Sequence, residues 1–112
     1  MIIRNVLEEP IKHNPHGVEV KQMYNDTAAQ IMHIRLKPGE SLKPHKTPVN
    51  VAFYILDGNV TVHIGDERKE LLKDNLVESP ANIVHHLSNE GSIDARILVI
   101  KAPRPQNPSR VL

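Results

Sequence analysis

Residues 37–58 read KPGESLKPHKTPVNVAFYILDG: a Pro-Gly turn, a single histidine, His45, among Pro and Lys, and then an apolar run closed by Asp57-Gly58. Within that run Val51, Phe53 and Ile55 fall on every second position, the period of a strand with one face turned to a core. Asp-Gly is a dipeptide suited to tight hairpin turns. The reading that follows joins Phe53–Leu56 to Val60–Ile64 as a hairpin, with Val60, Val62 and Ile64 on one face and Thr61 and His63 on the other.

Working outward, the same period predicts strands at Val18–Tyr24, Gln30–Lys37, Leu76–Ser79, Ile83–Leu87 and Asp94–Ala102. Between them lie turn signals such as Lys37-Pro38-Gly39, Gly65-Asp66, Asp74-Asn75 and Asn89-Glu90-Gly91, which supply a preset φ or a residue tolerant of positive φ. Only DERKELLKDN, residues 66–75, has helical character, and its position between two turns makes a short edge strand an equal expectation. Short strands separated by regular turns predict one all-β sandwich or barrel.

At 112 residues the chain suffices for one domain with a modest core. Its 14 basic and 13 acidic residues are spread evenly and leave a net charge of +1, so no basic face is available to displace counterions from a nucleic acid. The absence of cysteine excludes disulfides, thiolate metal sites and a thiol nucleophile. Any metal would have to be held by histidine, carboxylate or water. No apolar run approaches the length of a membrane span, and the first residues lack the features of a signal peptide. A soluble, cytoplasmic protein with no nucleic-acid or membrane partner is the expectation.

A second stretch, DNLVESPANIVHHLSN at residues 74–89, completes a pattern with the first. Gly39, His45 and Gly58 stand at the spacings of the first motif of the cupin superfamily, and Pro80, His85 and Asn89 at those of the second. Together the two segments resemble that superfamily over about residues 27–102. The resemblance implies a double-stranded β-helix, or jelly-roll barrel, over residues 27–102. It also implies N-terminal strands within residues 1–26 that can exchange into the partner of a homodimer. Proline content and the lack of apolar periodicity predict an extended or disordered tail at 103–112.

The departures from the motifs bear on chemistry. Thr47 stands where the second motif histidine belongs and Val51 where the glutamate belongs, while Asp74 and Asn82 replace two motif glycines. The usual three histidines and one glutamate are reduced to His45 and His85, and two imidazoles alone hold a divalent ion weakly. Among the other histidines, His86 points opposite to His85 in a strand, His33 and His63 lie on faces opposite apolar neighbours, and His13 and His16 sit in a Pro- and Gly-rich opening segment. Asn82 and Asn89 read as turn residues.

Met32, Ile34 and Leu36 are expected to face Val51, Phe53 and Ile55 across the barrel. The expected pocket consists of His45, Thr47, Val51, Phe53 and His85. The resemblance then implies binding of a small molecule there, directly or through a weakly held Fe, Mn, Ni or Zn ion on His45 and His85. The alternative is a metal-dependent oxygenase or isomerase with a nonstandard ligand set. Fold alone does not choose between them.

Overall fold

The computed structural model describes residues 1–112 and contains ten strands and no helix. They are β1 (Glu19–Asp26), β2 (Ala29–Leu36), β3 (His45–Lys46), β4 (Val51–Asp57), β5 (Val60–Ile64), β6 (Glu67–Leu71), β7 (Leu76–Ser79), β8 (His85–Ser88), β9 (Ala95–Lys101) and β10 (Arg110–Val111). Two five-stranded antiparallel sheets, ordered β1-β2-β9-β4-β7 and β10-β3-β8-β5-β6, face each other as a jelly-roll barrel. With no helix present, none is long and apolar enough to cross a membrane.

Alternation positions the core. Cross-strand partners share a face, so the register builds rows across the first sheet: Ile34, Ile97 and Ile55 in one, Met32, Val99, Phe53 and Val77 in the next. Val62 and Leu87, paired in the second sheet, close over these rows with Leu42 and Val60. The residues expected to oppose one another across the barrel, Met32 and Ile34 against Phe53 and Ile55, in fact lie on the same sheet with β9 between them. Periodicity fixes which face a residue takes and is silent on which strand lies beside it.

The Asp57-Gly58 turn is a second correction. β4 and β5 do not pair; β4 lies between β9 and β7, and β5 between β8 and β6. Asp57-Gly58 therefore carries the chain from one sheet to the other. Gly58 has φ +76°, and a Cβ there would lie 2.8 Å from the Asp94 carbonyl oxygen and 2.9 Å from the Ala95 Cα, so the corner is packed directly onto the start of β9. The true hairpin in this region is Ile64 to Glu67, turning at Gly65-Asp66, and within the residue 66–75 window Glu67–Leu71 form the edge strand β6, with no helix.

Asp74 and Asn82, which stand where the second motif has glycines, are the only non-glycine residues with positive φ, 69° and 63°. Both residue types tolerate that region, so the backbone of the motif survives the change of side chain. Asn89 acts as a turn residue through its side chain and also ties the turn to the core. It is fully buried, its Nδ2 donates to the carbonyls of Leu36 and Ile93, and its Oδ1 accepts from Gly91 N–H.

At the N-terminus no strand forms before Glu19, and Met1, Ile2, Ile3 and Leu7 are exposed. The strands expected in this stretch begin only with β1. The C-terminal tail is extended and ends in β10, which pairs with β3 through Arg110–Lys46 and Val111–His45.

Candidate functional site

Between the sheets lies a cavity of about 380 Å³. Its apolar wall comes from the core rows, with Met32, Ile34, Val51, Phe53 and Val99. The next row of the first sheet is different in kind: Gln30, Lys101, Val51 and Ser79 stand side by side, and Lys101 enters the cavity as the last inward residue of β9 after Ala95, Ile97 and Val99.

The second sheet contributes the histidines. His45 and His85 are directly paired in β3 and β8, with ring centroids 4.5 Å apart, and Phe53 meets the His85 ring edge-on at 5.2 Å from across the barrel. All five residues expected in the pocket, His45, Thr47, Val51, Phe53 and His85, line this one cavity. Two others that sequence reasoning passed over join them. His16 lies with its ring 4.9 Å from that of His45, and the tail from Pro105 to Ser109 forms a further wall.

Hydrogen bonds set the protonation of each imidazole. His85 lies between Ser79 Oγ, 2.7 Å from Nδ1, and Thr47 Oγ1, 3.2 Å from Nε2; Thr47 in turn meets Ser109 Oγ at 2.9 Å. A neutral imidazole has one donor and one acceptor, so this chain of hydroxyls runs in a single direction through His85. Burial above all, then the charges of His45, Lys101 and His86, lowers the His85 pKa to about 3 and keeps it neutral.

Lys43 holds the other two. Its carbonyl receives His45 Nδ1–H at 2.7 Å, and its N–H donates to His16 Nδ1 at 2.9 Å. His45 is thereby left with an unprotonated Nε2, and neutral His16 carries its proton on Nε2. Burial lowers both pKa values, His16 to about 4, with His45, Lys43 and Lys101 adding to the effect there. Lys101 is pushed below its ordinary value by burial, and its Nζ has no hydrogen-bond or ion-pair partner in the protein. No aspartate, glutamate or arginine lines the cavity.

This donor set does not fit a resident divalent ion. Both nitrogens of His85 are engaged, and His16 could ligate only by giving up its bond from Lys43 or its remaining proton. His45 Nε2 is the one open imidazole lone pair. Val51 offers nothing in place of a carboxylate, and Lys101 brings a positive charge to the same space. No group of three or more His, Asp or Glu side chains is arranged to hold a metal.

Lys101 was legible in the sequence, since it continues the inward phase of β9. His16 was not, because the contact that brings it to His45 spans a loop whose path no local pattern encodes. His33 does face away from the cavity, yet it is buried, with Nε2 accepting from Arg96 Nε–H at 3.0 Å. His63 and His86 stack on each other, 4.2 Å apart, and neither lines the cavity.

Known proteins place this architecture. The tetracenomycin polyketide synthase protein TcmJ of Streptomyces glaucescens is 30% identical over 84 residues, 71% of this chain; the match spans 56% of TcmJ, little more than half its length. The uncharacterized protein MJ0764 of Methanocaldococcus jannaschii is 31% identical over 88 residues, 78% of this chain and 76% of that protein. The crystal structure of TT1209 from Thermus thermophilus superposes with a TM-score of 0.80 at 27% identity, covering 94% of this chain and 100% of that one. The polyketide cyclase RemF from Streptomyces resistomycificus shares the fold, with a TM-score of 0.84 at 16% identity over 100% of this chain and 85% of its own. The profile of the cupin domain matches residues 32–101, and with the paired half-motifs and the two-sheet barrel this establishes that the chain belongs to the cupin family.

Proposed function

We propose that this protein binds a small organic molecule directly in the barrel, without a resident metal. The observation that carries this reading is the cavity itself. It is of a size typical of small-molecule sites, its inner wall is apolar, and open polar groups, His45 Nε2 among them, are gathered at one end. The ligand's body would lie on Met32, Ile34, Phe53 and Val99, and a hydroxyl or other donor would meet His45 Nε2. His85 and Thr47 fix the shape of that end.

Protein purified without an affinity tag decides the matter by elemental analysis and native mass spectrometry. An organic adduct displaced by a bulky His45 substitution, with metal far below one equivalent, is the expected result. Near-stoichiometric Fe, Mn, Ni or Zn that His45→Ala removes would overturn it in favour of the metal-dependent oxygenase or isomerase.

One observation favours a second reading. The similarity to TcmJ, a polyketide synthase protein, suggests a polycarbonyl ligand, on which His45 Nε2 could accept a proton. Exchange of deuterium into a bound β-diketone, lost in His45→Gln, would support catalysis over simple binding.

A further inference from the structure

We infer that the cavity is selective for organic anions, a carboxylate on an apolar body, with the carboxylate paired to Lys101. The inference rests on the small-molecule reading above and goes on to name the ligand's charge. Lys101 stands in the row Gln30, Lys101, Val51, Ser79, half-buried on the cavity wall, where its Nζ meets no acceptor and no carboxylate lines the walls. A cation that gives up part of its hydration without a partner does so at a cost, and a ligand that supplies the counter-charge offsets that cost.

The neighbouring groups agree in sign. His16 lines the same cavity with its proton on Nε2, set by the bond its Nδ1 accepts from Lys43 N–H, so a second donor is present where an anion would sit. Neutral His45 and His85 contribute no further positive charge. A phosphate dianion would need several cations or a nest of backbone N–H groups. This cavity has one lysine and no arginine, which matches a monoanion. Next to the carboxylate position lie Val51, Val99 and Met32, which suit an aromatic or aliphatic body.

Calorimetric titration of the full chain with acid and amide pairs of equal shape tests this: benzoate and benzamide, hexanoate and hexanamide, naphthoate and naphthamide. At least one acid is expected to bind about tenfold or more tightly than its amide, as charge-assisted hydrogen bonds allow. Lys101→Met should erase that preference and Lys101→Arg should keep most of it. Without ligand, Lys101→Met should melt at or above the wild-type temperature, which also shows that the variant folds. Equal binding of acids and amides, or a preference that persists in Lys101→Met, overturns the anion inference and leaves small-molecule binding intact. Failure of every acid and every amide to bind overturns both.

Discussion

Lys101 stands directly across from Val51 in the β4–β9 register, so a cation and an apolar side chain share one wall of the cavity at the place where the cupin motif carries its glutamate. With valine at the motif's carboxylate position, an ammonium without an acidic partner sets the electrostatic sense of the pocket. The two side chains project from one pair of facing backbone positions, which allows them to couple.

That coupling is measurable. Val51→Glu is expected to ion-pair with Lys101 and to block anion binding. In a double-mutant cycle with Lys101→Met, read by urea denaturation, the two substitutions should show a favourable coupling of about 1–3 kcal/mol. Additive effects would mean that the side chains do not meet.

Acid should unfold this protein earlier than its small acidic-group networks suggest. His85 is lowered from 6.5 to about 3 and His33 from 6.5 to about 4, both chiefly by burial. Above the ordinary histidine range the imidazoles are neutral in both states and contribute no pH dependence. Below it the unfolded chain takes up protons that the folded chain refuses, so stability falls as pH drops from about 6.5 and levels only below the folded values. Urea midpoints measured at intervals from pH 7 to pH 4 should decline steadily, and His85→Gln should flatten the slope. A midpoint independent of pH over that window would contradict the assignment of these rings as buried and neutral.

The sheet-crossing corner makes a sharper demand than a hairpin would. Gly58→Ala forces a Cβ against the Asp94 carbonyl and β9 at a positive φ, with an expected loss of about 1–3 kcal/mol in equilibrium unfolding. In a free two-residue hairpin turn the same substitution would clash with no neighbouring strand, so a loss of only a few tenths would argue against the observed packing.

These contrasts show what the sequence encodes locally. The period of two located β5 and β7 to the residue and most of β1, β2, β4 and β9 to within a few, because each strand has one face in the core. It placed Val51 and Phe53 on the cavity side for the same reason. Partner choice is a long-range property, which is why Asp57-Gly58 read as a hairpin and became a corner. The site divides in the same way. His45 and His85 were legible from motif spacing, whereas the approach of His16 to His45 and of Ser109 to Thr47 depends on segments that carry no periodic signal.

Association through the N-terminus remains the expected quaternary arrangement. Met1, Ile2, Ile3 and Leu7 are exposed together, and apolar side chains so placed are commonly covered by a second copy across a two-fold axis. Light scattering at micromolar concentration should give twice the 12.6 kDa of the chain, and deletion of residues 1–7 should return it to a single chain. A monomer mass for the intact protein overturns this.

Beyond Arg104, whose N–H and guanidinium bond Thr27 and Asn25, the tail fastens to the barrel by little: the Arg110–Val111 pairing with β3, the Ser109–Thr47 hydroxyl contact and Leu112 N–H to the Pro44 carbonyl. Short terminal strands fray on a timescale far faster than whole-domain unfolding. Because the same residues wall the cavity, the dwell time of a bound molecule would be governed by how often this strap lifts, and shortening the chain before Pro105 would speed both capture and escape while leaving the two sheets intact.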